Sequence, residues 1–130
     1  MKVKEIISVI ESFAPLSIQE SWDNSGLCVG SPEDEVTSVL MGLDCTPQLV
    51  DEAVACGADM IITHHPLIFS GLKKITPDNQ VGEAVIKAIK AGISIYAAHT
   101  SADKVIAGVS GAMAARLGLK DVRILDEDGE

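Results

Sequence analysis

Apolar residues follow two different patterns along this chain. Over Val3–Phe13 they recur at helical spacing, and Pro15 ends the helix that this spacing predicts. Two short apolar runs come next, Leu27–Gly30 and Val36–Leu43, and the second predicts a strand. The second run is rich in β-branched and aliphatic residues, so we expect it to be a buried strand.

From residue 46 onward the chain repeats one order three times: a helix, a glycine that ends it, and a strand. The predicted helices are Pro47–Cys56, Gln80–Ala91 and a third that starts at Asp103 or Lys104; they end at Gly57, Gly92 and Gly118. The predicted strands are Asp59–Thr63, Ile93–Ala98 and Asp121–Leu125. Strands that alternate with helices form right-handed crossovers. We therefore predict an α/β fold with a mostly parallel sheet covered by helices on both faces.

Polar residues with metal-ligand chemistry follow two of the predicted strands. His64 and His65 come directly after Asp59–Thr63, His99 follows Ile93–Ala98, and Asp103 lies four residues beyond His99. Ligands bind at the carboxyl ends of parallel strands, where loops converge. Three imidazoles and a carboxylate are a ligand set suited to Zn²⁺, Mn²⁺ or Fe²⁺. We interpret residues 1–125 as one α/β metal-binding domain and residues 126–130 as a frayed acidic tail.

Two geometries allow His64 and His65 to serve one site. Adjacent residues of a strand point to opposite faces, so either the chain bends there or two metal ions are bound. Pro66 restricts His65 to extended conformations and favours a bend after it. Two ions would let each histidine bind one of them, with Asp103 as a bridge. The competing interpretation is that these histidines are hydrogen-bonded structural residues.

Other polar segments near the predicted strand ends have more ordinary explanations. Asp44 follows the strand Val36–Leu43, and we interpret it as a helix cap, with a metal-linked role as the alternative. In the segment WDNSG, Trp22 is expected to anchor a loop to the core, while Asp23 and Asn24 form turns. The alternative is contact with a polar substrate. Residues 66–79 lack a clear period and are predicted to form a loop or lid at the site.

Composition and charge exclude several classes of protein. The 130 residues carry a formal net charge of −9, which disfavours nucleic acid and anionic membranes as partners. One Trp, one Tyr and two Phe are too few for a stacking platform along single-stranded nucleic acid. No apolar run approaches the length of a spanning helix, and the charged N-terminus is unlike a signal peptide, so we expect a cytoplasmic protein.

The three cysteines do not indicate a disulfide framework or a thiolate metal site. Cys28, Cys45 and Cys56 are odd in number and lack the C-x-x-C spacing. We expect them to be small buried thiols in a reducing compartment.

Three ordered motifs carry a resemblance to a known family. They are WDNSGL at residues 22–27, THHPLIF at residues 63–69 and AHTSAD at residues 98–103. Together they resemble the NIF-three-like family, whose members are often described as GTP cyclohydrolase 1 type 2 homologues, and they match its amino-terminal half.

The resemblance implies an α/β fold, a dinuclear metal site and toroidal homo-oligomers, commonly hexamers. Carried over position by position, it implies that His64, His65 and Asp103 are metal ligands and places His99 at or beside the metals, as a proton shuttle or a further ligand. The implied activity is metal-dependent hydrolysis of a small, nucleotide-like molecule, with water attacking an electrophilic carbon such as C8 of a guanine nucleotide. Metal-dependent phosphoester hydrolysis is a variant.

This sequence departs from the family pattern in two ways. Family members usually carry a second half with a His-x-x-x-Glu motif that completes the dinuclear centre, and no histidine follows His99 here. The third motif commonly reads His-Thr-Asn-x-Asp, and Ser101 replaces the amide. The chain is therefore expected to be either the amino-terminal half of a longer protein or a short form with an incomplete site. A non-enzymatic metal-binding or oligomeric scaffold module is the alternative function.

Overall fold

The computed structural model describes residues 1–124, and within them four strands form one sheet flanked by helices. The helices are α1 (Val3–Phe13), α2 (Pro47–Cys56), α3 (Gln80–Ala91), α4 (Thr100–Asp103) and α5 (Val109–Arg116), with a 3-10 turn over Leu16–Ile18. The strands are β1 (Gly26–Val29), β2 (Val39–Gly42), β3 (Met60–Thr63) and β4 (Ser94–Ala97).

The sheet has the order β1-β4-β3-β2 and is mostly parallel, as predicted. β3 runs parallel to both β2 and β4, whereas β1 pairs antiparallel with β4, so the sheet is mixed. The antiparallel register places Gly26 opposite Ala97, so the start of β1 lies at the end of β4. This pairing brings the segment before β1 to the carboxyl ends of the parallel strands.

Helices cover both faces of the sheet, which confirms the prediction. On one face, α1 packs Val3 against Met60 and Tyr96. On the other face, α2 and α3 pack Val50 and other small apolar residues against Ile61 and Ile95. Successive residues of β3 and β4 point to opposite faces, so these two central strands contribute to both cores.

Cap residues explain why α2 and α3 begin and end where the sequence predicts. The Thr46 hydroxyl accepts a hydrogen bond from the backbone N–H of Leu49 at the start of α2, and Asn79 caps α3 in the same way. Gly57 and Gly92 adopt the left-handed conformation that terminates these helices, with φ of 71° and 68°.

The prediction of a buried strand over Val36–Leu43 was wrong in length and in burial. Only Val39–Gly42 is a strand; it lies at the edge of the sheet, and Met41 is 75% exposed. The strand starts late because the Thr37 and Ser38 N–H groups donate to the Asp59 carboxylate, at 2.8 and 3.2 Å, instead of extending the ladder.

The prediction of one helix from Asp103 or Lys104 to Gly118 was wrong in its first part: residues 104–108 are not helical, α5 covers only Val109–Arg116, and the short helix α4 ends where the predicted helix begins. Gly108 lies so close to α4 that a Cβ there would be 1.8 Å from the Ala102 carbonyl oxygen, so the tight turn requires a glycine.

The predicted last strand, Asp121–Leu125, is not formed within residues 121–124. Asp121 has a φ of 56°, a left-handed conformation that does not occur within a strand. Leu125 and the predicted acidic tail, residues 126–130, lie outside the described residues.

Candidate metal site

All three histidines of the chain lie at the carboxyl ends of the two central strands of the sheet. His64 and His65 follow β3, and His99 follows β4, its parallel neighbour. Because parallel strands end at the same edge, residues 34 or 35 positions apart in sequence become neighbours there. The three rings contact one another, with centroid separations of 4.9, 5.2 and 5.5 Å.

The chain bends at His64 and His65, one of the two geometries that the sequence left open. The His64 N–H donates to the carbonyl of Gly42, the last residue of β2, at 3.3 Å, and the His65 N–H donates to that of Leu43, the next residue, at 3.0 Å. The Thr63 hydroxyl donates to the His65 carbonyl at 2.8 Å and closes the bend. The two imidazoles therefore face the same side.

Each imidazole is held through its Nδ1 atom by an oxygen that accepts a hydrogen bond. Nδ1 of His64 lies 3.0 Å from the Ala98 carbonyl, that of His65 lies 2.7 Å from Asp44 Oδ1, and that of His99 lies 2.8 Å from Asp23 Oδ1. A carbonyl or a carboxylate can only accept, so in the neutral rings Nδ1 carries the proton and Nε2 carries the lone pair.

The ring nitrogens of the three histidines form a group with metal-ligand geometry. One ligand atom from each of the three histidines lies within 4.8 Å of the others. Imidazole nitrogens that converge in this way, each with its other nitrogen hydrogen-bonded, are the arrangement found around bound transition metals. The donor set therefore fits a divalent metal ion such as Zn²⁺, Mn²⁺ or Fe²⁺.

Asp103 lies beside this group at the end of α4. Its Oδ1 atom is 3.6 Å from His64 Nε2, and its side chain is 40% exposed. The carboxylate thus faces the lone-pair side of His64 without a hydrogen bond to it, a spacing that leaves room for an ion between them.

Asp23 contacts the site, and our sequence interpretation of it as a turn residue missed this. Its fully buried carboxylate accepts hydrogen bonds from His99 Nδ1 and from the backbone N–H and hydroxyl of Thr100. Burial by itself raises the pKa of Asp23, but the hydrogen bonds from Thr100 and His99 outweigh burial and hold this pKa well below its usual range. Asp23 is therefore a buried carboxylate anion behind His99.

Asp44 does not cap α2, which corrects the interpretation favoured by the sequence. The cap is Thr46, and the Asp44 carboxylate instead pairs with His65. Both side chains of this pair are substantially exposed, 59% for Asp44 and 45% for His65. A cavity of about 280 Å³ lies against the pair, between the residues just before α2 and the first residues of α3.

The sequence led us to expect that Trp22 anchors its loop to the core, and this expectation was wrong. Trp22 is 59% exposed, and its ring lies 6.2 Å from that of His99 and 6.0 Å from that of Phe69, which is itself 53% exposed. The Asn24 amide donates to the Ile68 carbonyl at 2.6 Å and ties the two loops together. The loop 66–79 therefore contributes Phe69 to the border of the site.

Comparison with known proteins places the chain in a family. The profile of the Duf34/NIF3 (NGG1p interacting factor 3) family matches residues 1–130. A GTP cyclohydrolase 1 type 2 homolog of Clostridium acetobutylicum is 42% identical over 130 residues, which are 100% of this chain and 48% of that protein. A second homolog of the same description, from Clostridium perfringens, is 41% identical and covers 98% of this chain. The chain thus spans about half the length of these curated relatives.

Solved structures agree with the sequence relatives. A Bacillus cereus protein related to NIF3 superposes with a TM-score of 0.91 at 43% identity, covering 97% of this chain and 35% of that one. Reduced HcgD from Methanocaldococcus jannaschii gives 0.88 at 32% identity, covering 99% of this chain and 52% of that one. Within residues 1–124 no helix is long and apolar enough to cross a membrane. The chain belongs to the Duf34/NIF3 family.

Proposed function

We propose that this chain is the metal-binding part of a metal-dependent hydrolase of the GTP cyclohydrolase 1 type 2 kind, acting on a small nucleotide-like molecule in the cytoplasm. One observation carries the proposal: all three histidines have Nδ1 committed to an oxygen acceptor, which leaves Nε2 free in each, and a ring nitrogen of each lies within 4.8 Å of the others. The names of the curated relatives supply the reaction class.

In this proposal His64, His65 and Asp103 bind the metal, and His99 acts on protons. A divalent ion, when bound, polarises the substrate and lowers the pKa of water toward neutrality. His99 is the best placed proton carrier, because its Nε2 is free, its ring contacts the other two histidines and its Nδ1 is backed by an anion.

The aromatic border of the site supports a nucleotide-like substrate. Trp22 and Phe69 are both more than half exposed, and both rings lie edge-on to His99, with interplanar angles of 74° and 78°. A single planar base needs only one such surface on which to stack, unlike a nucleic-acid strand, which needs several.

We also propose two metal ions and a homo-oligomer, as the family resemblance implies. His64, His65 and Asp103 offer three donors for one ion, and His99 is a fourth donor only where it binds the metal instead of carrying protons. A second ion needs further ligands, and a neighbouring subunit of an oligomer can provide them.

The same count of donors favours a second candidate function, a non-enzymatic metal-binding or scaffold module. If His99 binds the metal together with His64, His65 and Asp103, four donors close a structural site with no free coordination position, whereas catalysis requires a position for water or substrate. The two candidates therefore predict different behaviour after metal binding: turnover in the first and none in the second.

The test is the metal content of the chain purified without chelator, measured by plasma mass spectrometry. We expect one to two equivalents of metal in the wild type, about two if the dinuclear site is complete, and a loss of metal in His64→Ala/His65→Ala. The matched control is Asp51→Ala/Lys87→Ala, which removes a surface ion pair of 2.7 Å and should keep the metal. Equal metal in all three proteins would refute the site.

Turnover separates the two candidate functions. The metal-loaded chain is incubated with GTP, and the loss of the purine ultraviolet absorbance is followed. His65→Ala should abolish turnover while the far-ultraviolet circular dichroism stays unchanged. Metal binding without turnover in the wild type would favour the scaffold module.

A further inference from the structure

We propose that Asp23 is the positioning residue of His99: its carboxylate fixes the ring proton on Nδ1 and thereby keeps the Nε2 lone pair directed at the other two histidines. The catalytic significance of this arrangement rests on the proposed function. The arrangement itself rests only on the contacts of residues 23–25 with residues 99–100.

The Asp23 carboxylate is surrounded by groups that donate hydrogen bonds. Oδ1 accepts from His99 Nδ1 at 2.8 Å and from the Asn24 N–H at 2.7 Å. Oδ2 accepts from the Thr100 N–H at 3.0 Å, from the Ser25 hydroxyl at 2.9 Å and from the Thr100 hydroxyl. Donors reach both oxygens, and the side chain has no exposed surface. The carboxylate therefore has one orientation, and water from the solvent cannot take its place as the hydrogen-bond acceptor.

The same segment also fixes the backbone of His99. The Ser25 hydroxyl accepts a hydrogen bond from the His99 N–H at 3.1 Å while donating to Asp23. The main chain and the ring of His99 are therefore both held from a segment more than 70 residues earlier in the sequence. This double attachment is what we expect of a group that sets the orientation of a functional imidazole.

The other two histidines have weaker supports. His64 is backed by the neutral Ala98 carbonyl, and the Asp44 carboxylate behind His65 is 59% exposed. An exposed carboxylate is screened by water, whereas the Asp23 side chain has no exposed surface. His99 is thus the histidine whose proton position depends most strongly on its partner.

The variant Asp23→Asn makes the inference testable, because it has nearly the same shape but only one acceptor oxygen. Each oxygen of Asp23 accepts from one backbone N–H, Asn24 at Oδ1 and Thr100 at Oδ2, but Oδ2 accepts from three donors and Oδ1 from two. The arrangement that keeps more hydrogen bonds places the amide oxygen on the Oδ2 side and the NH₂ group toward His99. The His99 ring can then accept only through Nδ1, and its proton moves to Nε2.

The experiment is nitrogen-15 NMR of the histidine rings in the 130-residue chain, with metal removed by chelator and the fold checked by circular dichroism. The chain has three histidines, and single His→Gln variants assign their ring signals. In the wild type we expect His99 to show a protonated Nδ1 and an unprotonated Nε2. In Asp23→Asn we expect the two signals to exchange this character, while those of His64 and His65 stay unchanged.

The matched control is Asp59→Asn. Asp59 also accepts hydrogen bonds from a loop, through Thr37 and Ser38, but it contacts no histidine. This variant should leave all three ring signatures unchanged, which separates the positioning of His99 from general loss of stability. If Asp23→Asn does not fold, Asp23→Ser serves instead, and we expect mixed tautomers at His99. If the ring nitrogen signals of His99 in a folded Asp23 variant are the same as in the wild type, the inference is wrong.

The outcome is independent of the proposed function. The NMR measurement uses metal-free protein and no substrate, so the inference can hold even if the chain hydrolyses nothing. Conversely, metal retention and turnover in the wild type would support the proposed function even if the His99 signature did not respond to Asp23.

Discussion

The carboxylate of Asp44 lies 2.7 Å from Nδ1 of His65, across the gap between the segments that follow β2 and β3. The contact orients the His65 ring and increases the electron density at its free nitrogen, as carboxylates behind metal-binding histidines do. It differs from the Asp23–His99 contact in exposure, and this difference leads to a quantitative expectation.

We expect Asp44→Ala to weaken metal binding about tenfold, the low end of the range for such supporting groups, because water can replace an exposed carboxylate. The measurement is competition for Zn²⁺ with a chromogenic chelator. Asp51→Ala is the control, since the Asp51 side chain is similarly exposed but pairs with Lys87. A loss that is equal in both variants would show a general effect of surface charge.

The chain's single tryptophan reports directly on the site. Because Trp22 lies beside His99 and is 59% exposed, stacking of a base on it should quench its fluorescence. We expect guanosine to quench and ribose to have no effect. Phe69→Ala should weaken guanosine binding about tenfold, in line with the energy of stacking one base on one ring.

Phe13→Ala is the matched control for that experiment. Phe13 is 49% exposed, against 53% for Phe69, but it lies at the end of α1. Its removal should leave the guanosine titration unchanged. Quenching that is insensitive to Phe69 would remove that ring from the binding surface.

The three cysteines should differ in reactivity, although the sequence predicted that all three are buried. Burial raises the pKa of Cys28 to about 11, and burial together with the nearby Cys28 raises that of Cys45 to about 12. Cys56 is exposed. With iodoacetamide at pH 8 we expect rapid labelling of Cys56 alone in the native chain and of all three in denaturant, read by peptide mass spectrometry.

The raised pKa values also fix the direction of a pH effect on stability. In the unfolded chain a cysteine ionises near pH 8.5, whereas the folded chain keeps Cys28 and Cys45 protonated to higher pH. Their contribution to the free energy of unfolding is therefore complete below about pH 8.5 and is lost as the pH rises toward 11 and 12. Urea unfolding of Cys28→Ala/Cys45→Ala should show a smaller loss of stability between pH 8 and 11 than the wild type.

Ser101 should be replaceable without loss of stability. Its side chain is fully buried, and among the described residues its hydroxyl has no hydrogen-bond partner. An unsatisfied buried hydroxyl costs free energy, so Ser101→Ala should raise the free energy of unfolding by about 1 kcal/mol. Urea denaturation measures the change. A loss of more than 1 kcal/mol would instead assign the hydroxyl a partner, and Thr100→Ser, which keeps its hydroxyl, is the control.

Local sequence signals were sufficient for the elements with strong caps. The helices Val3–Phe13, Pro47–Cys56 and Gln80–Ala91 have the predicted bounds, because a proline, a capping side chain or a left-handed glycine determines each end. The region after His99 was predicted less well. There the apolar spacing continues through Gly108, and only its close approach to Ala102 shows that the helix is broken.

The sequence by itself determined the α/β class, the family and the three histidines at strand ends, because hydrophobic periodicity and local motifs encode them. Only the tertiary structure decided that Asp23 supports His99 and that Asp44 supports His65. Both contacts cross between strands, and the first depends on β1 running antiparallel to β4, which carries the segment before β1 to the site. The direction and order of strand pairing are set by long-range packing, so no local pattern in the sequence reveals them.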